Sequence, residues 1–517
     1  MRKLWRPPLL TALVAIGSIG LIAAQAQRAA PAASTLIVNA IVVDGTGAAR
    51  YAAAVRVRGD RIAEVGDLTA ERGETVVDAR GLVLAPGFID THSHGDRGLF
   101  EHRDVLAAVS QGITTIVVGQ DGGSPFSLAD FFARLEHEPA AVNVASYAGH
   151  GRLRREVMGE DFRRPARPEE LARMRAQLER ELRAGALGLS TGLEYDPGIY
   201  SAPSEVVDLA RVAASAGGRY ISHIRSEDRR FWEAIDEIIA IGREAKLPVQ
   251  ISHLKLAMRS LWGQTPRLLR TLDQARAAGV EITADVYPYL YWQSTLTVLF
   301  PERDFQNRQT AEFVLREIAT PDDLLLGRFA PEPSYAGKTL GAIARLRGTD
   351  PPATLMDLIR DALAEGRRSG SDDVESVIGT SMSEPDLERL LAWPFSNVCT
   401  DGELDGRHPR GFGTFPRVLG RYVRERQLIG LEEAVRKMTG LAAGNAGLRD
   451  RGLVRPGAFA DLVLFDPATV LDRATTREPH ALAAGIEKVW VNGALVYTEG
   501  AATANRPGRA LRRQDQR

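Results

Sequence analysis

The strongest constraint on this chain is a rhythm. Short apolar, β-branched runs recur through its middle, and amphipathic helical stretches separate most of them. The runs fall at residues 83–91, 114–119, 142–147, 187–193, 220–223, 249–253, 281–287 and 397–400. The stretches between them include 168–185, 204–217, 232–246 and 266–279. Strand, helix, strand in succession predicts parallel pairing with the helices outside. Eight strands is the number that closes a barrel, so the expected fold is α/β, a (β/α)8 TIM-like barrel. The alternative is an open doubly wound sheet, but no strand is followed by a Gly-x-Gly-x-x-Gly loop. Residues 291–390 break the rhythm and read mostly as helix, an insertion between the seventh and eighth strands.

Both ends of the chain are β-rich. Residues 35–43 form one run, 54–65 read as a hairpin turning at Gly59-Asp60, and 460–465 and 489–493 supply more. This predicts a small β-sandwich domain assembled from residues 34–85 and 451–500, flanking a barrel over 86–450. The Arg-rich tail 501–517 is expected to fray. Residues 1–26 carry Arg2, Lys3 and Arg6, then an apolar stretch, then Ala24-Gln25-Ala26, which is the pattern of a cleaved secretory signal. A retained anchor is the rival, although the apolar stretch is short for one and holds glycines. Export to the periplasm or medium is the expectation, with no membrane contact after cleavage. Cys399 is the only cysteine, so stability must come from core burial or bound metal and not from an internal disulfide. A net charge of −1 gives no drive toward nucleic acid and points to a small-molecule partner.

Five histidines stand where strands should end: His92, His94, His150, His223 and His253. Barrel enzymes gather their chemistry on that rim, and neutral imidazole binds zinc near neutral pH. His92 and His94 are two apart, so on a strand they face one side and can share an ion. Ser222-His223 and Ser252-His253 each close an apolar run. Either alone reads equally as a core histidine; with the first pair they make a four-histidine set. Thr400-Asp401-Gly402 ends the last run, and Asp-Gly is also a common turn pair. Beside four histidines, the Asp401 carboxylate is placed to take a proton from water and pass it to a leaving nitrogen.

In these residues the sequence resembles the amidohydrolase superfamily, on the run Pro86-Gly87-Phe88-Ile89-Asp90-Thr91-His92-Ser93-His94, the two Ser-His ends and the late Asp-Gly. Its D-aminoacylase (N-acyl-D-amino-acid deacylase) branch is indicated by further segments. These are Gly149-His150-Gly151, residues 188–195 ending in Tyr195, Ser252-His253-Leu254-Lys255 and Tyr287-Pro288-Tyr289. His408-Pro409-Arg410, Gly413-Thr414-Phe415-Pro416, Arg451-Gly452-Leu453 and Ala460-Asp461-Leu462 complete the set. The resemblance implies hydrolysis of N-acyl-D-amino acids with one or two zinc ions, or another divalent metal. It implies His92, His94, His223 and His253 as ligands and Asp401 as catalytic acid/base. It also implies Tyr195, Lys255 and Tyr289 as holders of the substrate carboxylate. His150 either lines the pocket or makes a loop hydrogen bond.

One departure stands out. Where the family commonly carries a metal-binding cysteine, this chain reads Val118-Gly119-Gln120-Asp121-Gly122-Gly123. Asp121 is read either as a carboxylate ligand, harder than a thiolate, or as a turn residue. Glu194 is a weaker candidate for a bridging carboxylate. The rival functions are a cyclic amidase or dipeptidase on the same barrel, and a metal-free binding protein.

Overall fold

The computed structural model describes Met1, residues 34–371 and residues 373–516. The signal segment therefore lies outside the described residues, apart from Met1. Eight parallel strands make the barrel: β1 (Phe88–Asp90), β2 (Ile113–Val118), β3 (Asn143–Ser146, continued by Ala148–Gly149), β4 (Gly188–Gly192), β5 (Arg219–His223), β6 (Val249–Ile251), β7 (Ile282–Val286) and β8 (Ser396–Val398). The ring closes where Ser93 and Gly402 form a parallel bridge beyond β1 and β8. Asp90 staples that seam. Its carboxylate accepts from Thr400 N at 2.8 Å, from the Thr400 hydroxyl and from His92 N, so the first and last strands present their ends together. Burial pushes the Asp90 carboxyl up to about 7, against the pull of these hydrogen bonds.

The run 83–91, read above as one strand, serves two sheets. Val83–Pro86 pairs with Ser34–Val42 and Leu462–Phe465, and only Phe88–Asp90 enters the barrel. Gly87 makes the changeover because a Cβ there would sit 2.2 Å from the Thr114 side chain. Both chain ends join one nine-stranded sheet. Strand alternation splits its residues between two cores. Leu84, Leu462, Leu464 and Trp490 pack within the β-domain, while Val83, Ala85, Val463, Phe465 and Val489 pack with the barrel. Phe88 meets Phe465 at 6.3 Å across this junction. Each such fully buried side chain contributes about 1.5–3 kcal/mol, so the two units are bound by one continuous apolar contact.

Two sequence expectations are corrected. The insertion is rich in helix, as expected, but it is not helix alone and it ends before 390. It holds a three-stranded antiparallel sheet of Tyr291–Ser294, Glu375–Thr380 and Leu324–Phe329, under helices Arg308–Phe313, Leu340–Arg347 and Pro351–Ser369, with its own core around Trp292, Leu296, Phe300 and Leu358. Helix Glu384–Ala392 already belongs to the barrel wall. The tail from 501 is not frayed over its described residues. Gly508 N donates to Ala140 O and Leu511 N to Val144 O, and the Arg513 guanidinium caps the carbonyls of Leu182 and Ala216 at two helix ends. Arginines that read as solvated charge serve here as donors to the unsatisfied carbonyls of helix C-termini.

Glu375 gives the insertion a pH signature. It is 5% exposed; Oε1 accepts from Leu296 N at 2.7 Å and Oε2 has no partner. Burial pushes its carboxyl from 4.5 up to about 8. The folded-state value lies above the unfolded one, so the stabilisation is complete below pH 4.5 and is lost as pH rises through about 8. Glu375→Gln keeps the acceptor and removes the titration. Thermal unfolding should find the variant close to wild type at pH 4.5 and more stable, by ~3 kcal/mol, at about pH 9. Parallel curves at the two pH values would refute this.

Candidate metal centre and carboxylate cradle

The barrel rim gathers six of the residues singled out in the sequence. His92 and His94 follow β1, Asp121 follows β2, His223 ends β5, His253 follows β6 and Asp401 follows β8. Three of them, Asp121, His253 and Asp401, have φ of 54°, 34° and 50°. Asp and His enter this left-handed region more readily than most residues, and such turns are retained where function needs them. The turn bearing Asp121 is locked from several sides. Gln120 Nε2 donates to Thr91 O and Val117 O, Ser190 Oγ donates to Gly119 O, and a Cβ on Gly119 would lie 2.4 Å from Tyr147 O. Asp285, fully buried on β7, accepts from His253 N and from Gln250, which fixes the turn carrying His253.

These side chains form two groups with a common member. His92, His94, Asp121 and Asp401 bring ligand atoms within 4.8 Å of one another, and so do Asp121, His223 and His253. Asp121 Oδ1 lies 3.5 Å from both His92 Nε2 and His253 Nε2, and Oδ2 lies 3.4 Å from His94 Nε2. Asp401 Oδ1 is 3.2 Å from His94 Nε2. His223 Nδ1 and His253 Nε2 are 3.1 Å apart.

The donors fit a cation. His92 is 0% exposed, yet neither ring nitrogen has a hydrogen-bond partner, and Asp121 Oδ1 also lacks one. Each such group would cost about 1–3 kcal/mol if left unpaired. Electrostatics agree. Burial pulls His94 down, but Asp121 and Asp401 raise it to about 9. Burial and Lys255 oppose the charge on His253, yet Asp401, Glu227 and Asp121 raise it to about 10. Asp121 and Asp401 are both held well below the carboxylate range despite burial, Asp121 by His92 and His253, Asp401 by Arg410 and the imidazoles. Ionised carboxylates with imidazoles that hold protons tightly describe a site built for positive charge, which a metal takes over by displacing protons.

The outer nitrogens of His223 and His253 are also committed, to Glu194 and Glu227. Glu194 Oε2 is 2.8 Å from His223 Nε2, the nitrogen turned away from His253, and with His223 and Glu227 it forms a third cluster of ligand atoms. Carboxylate–histidine–metal triads of this kind set the tautomer of the ligand.

Beside this centre lies a cradle of donors. Lys255 Nζ is 5.8 Å from the Tyr287 ring centre, and the Arg410 guanidinium is 5.0 Å from it. The Tyr287 hydroxyl is buried without a partner, and burial keeps it protonated. Arg410 NH1 is 2.6 Å from Asp401 Oδ2, off the line of its N–H bond, an ion pair and not an aligned hydrogen bond. An orphaned phenol between two cations suits a carboxylate. Tyr195 closes another side: its ring is 4.3 Å from that of His223, and its hydroxyl pairs with Ser294 of the insertion.

Two predicted substrate contacts are not in this set. Tyr289 points away from it. Its ring packs against His408 and under Arg417, and its hydroxyl is 3.5 Å from Pro409 O, because Pro288 breaks the alternation that would have carried it to the side of Tyr287. His150 starts helix His150–Met158 and gives Nε2 to Glu205 at 2.8 Å; Arg154 grips the same carboxylate, tying that helix to Pro203–Ser215. Tyr287, Arg410, Glu227 and Asp285 were missed. Tyr287 and Arg410 sit inside segments already quoted for the resemblance, so their signal was present. Glu227 lies in a loop with no periodicity to expose it.

Comparison with known proteins follows the same outline. A family profile described as "Amidohydrolase family" matches residues 75–320 and 327–497. An N-acyl-D-glutamate deacylase of Alcaligenes xylosoxydans xylosoxydans is 39% identical over 91% of this chain and 95% of its own length. A D-aminoacylase of the same organism is 38% identical over 92% and 97%. The crystal structure of N-acyl-D-glutamate deacylase from Bordetella bronchiseptica, complexed with zinc and a phosphonate mimic of the tetrahedral intermediate, superposes with a TM-score of 0.83 at 36% identity, over 93% of this chain and all of that one.

Proposed function

The chain belongs to the amidohydrolase family, and from that premise we propose that it hydrolyses the amide bond of N-acyl-D-amino acids, releasing a carboxylic acid and a free D-amino acid. The observation that carries this reading is the adjacency of two sites. A five-ligand cation centre of His92, His94, Asp121, His223 and His253 shares the rim with the Lys255, Tyr287 and Arg410 cradle, and Asp401 touches both. These five residues would hold one or two zinc ions, whose positive charge would acidify water and polarise a carbonyl.

The chain's own residues do the rest. Lys255, Tyr287 and Arg410 bind the α-carboxylate, which fixes the amide beside the histidines. Asp401, ionised and 5% exposed, accepts a proton from the attacking water. It delivers that proton to the amide nitrogen as the C–N bond breaks, so the amine leaves neutral. Arg410 couples the two events: once it turns to the substrate carboxylate, Asp401 loses a counter-charge and becomes the better base. The cradle favours a linear substrate with a free carboxylate over a cyclic amide. The basic start, apolar stretch and Ala24-Gln25-Ala26 of residues 1–26 support export, and with it a substrate met outside the cytoplasm.

A panel of N-acetyl and longer N-acyl D- and L-amino acids, with hydantoins and dipeptides alongside, tests this reading. The expected result is D-selective hydrolysis, at least about 100-fold over L, lost on chelation and restored by zinc. Comparable rates on L-substrates or hydantoins would overturn it, and so would chelator-insensitive activity.

A further inference from the structure

Glu227 stands in the loop after β5, between the cation centre and the cradle. Both of its oxygens reach Lys255 Nζ, at 2.6 and 2.7 Å, and Oε1 is also 3.2 Å from His253 Nδ1. Lys255 Nζ is 2.9 Å from the same Nδ1. His253 turns its other nitrogen, Nε2, toward Asp121 and His223. The loop is fixed independently of these ions. Ser226 Oγ donates to Asp228 Oδ1 at 2.6 Å, Arg229 N donates to the same oxygen, and Ala257 N donates to the Glu227 carbonyl at 3.4 Å.

We propose that Glu227 is a positioning residue that ties metal retention to the grip on the substrate carboxylate, because one carboxylate holds both the outer nitrogen of a metal-binding imidazole and the substrate-binding lysine. The proposal rests on the role given to Lys255 above. Oε1 is contested: His253 Nδ1 and Lys255 Nζ both lie against it. When His253 commits Nε2 to a cation, Nδ1 must carry the proton, and a donor there needs Oε1 as its acceptor. Lys255 is then left on Oε2 and is freer to meet an incoming carboxylate. Coupling of this kind is reciprocal, so occupancy of the cradle also tightens the centre. Glu194 is the internal control. It serves His223 Nε2 and does not contact Lys255, so it acts on the metal alone.

The test uses the full-length protein, with zinc affinity read by chelator competition and KM and kcat read separately. Glu227→Gln should weaken zinc binding about 10- to 100-fold and raise KM about tenfold, with kcat at saturating zinc changed less than KM. Glu194→Gln should weaken zinc with KM unchanged once zinc is saturating. Lys255→Met should raise KM without weakening zinc, since Glu227 then serves His253 alone. Should Glu227→Gln fail to fold, Glu227→Asp keeps the charge, and the same pair of shifts, in smaller measure, is expected. Wild-type zinc affinity in a folded Glu227 variant overturns the proposal, as does a KM shift of equal size in Glu194→Gln. A wild-type protein that takes up no zinc or cleaves no N-acyl-D-amino acid defeats the proposed function instead.

Discussion

Asp401→Asn is expected to lower kcat by about 10³- to 10⁴-fold, a barrier increase of ~4–5 kcal/mol, in a protein that still takes up zinc. The argument is about protons and not about shape. Asp401 has a φ of 50°, and asparagine enters that region as readily as aspartate, so the turn survives the exchange. Asn also keeps an oxygen where Oδ1 now faces His94 at 3.2 Å. What disappears is a base that is ionised near neutral pH because Arg410 and the surrounding imidazoles outweigh its burial. An amide can neither accept the proton of the attacking water nor return it to the amine. KM should hold or fall, since Arg410 loses its partner and is free for the substrate carboxylate. Single-turnover kinetics, zinc content and the unfolding temperature check the three parts. Near-normal turnover in a zinc-loaded, folded variant would remove Asp401 from the reaction.

Much of this architecture could be read from the sequence because its physics is local. A strand end carrying one imidazole after an apolar run announces both the strand and the rim, as at Ser222-His223 and Ser252-His253, and two-residue spacing put His92 and His94 on one side. Local patterns stop informing where the chain turns. Tyr287 and Tyr289 share parity, but β7 stops at Val286, Pro288 redirects the chain between them, and only Tyr287 joins the cradle. Likewise the run 83–91 has one hydrophobic pattern but two sheets to serve, and only the close approach of Thr114 to Gly87 shows where it divides. The tail misleads for a different reason. Guanidinium groups look alike in sequence whether they face water or, as Arg513 does, the ends of two helices. Glu227 acts through partners about 26 and 28 residues away, a relation no window of neighbouring residues contains.

Asp121→Ala should strip the centre of its metal and reduce activity about 10³-fold at ordinary zinc concentrations. Among the described residues no other belongs to both the Asp401 group and the His223 and His253 group; one Asp121 oxygen faces His92 and the other His94. Its removal leaves two imidazoles beside Asp401 and two imidazoles alone, and neither set meets the four-ligand habit of zinc. Excess zinc should restore part of the activity, since the histidines keep their second partners in Glu194 and Glu227. Asp121→Cys separates charge from softness. A thiolate retains the negative charge but prefers softer ions, so the variant should favour zinc and cadmium more strongly, while the native carboxylate should discriminate less against manganese and cobalt. Cobalt-loaded Asp121→Cys should then show a thiolate charge-transfer band in the near ultraviolet that the native protein lacks. The exchange also has a backbone cost. At a φ of 54°, between Gly119 and Gly122 at 74° and 75°, cysteine is less at ease than aspartate. Full metal content and rate in Asp121→Ala would show that the two histidine groups act without a shared carboxylate.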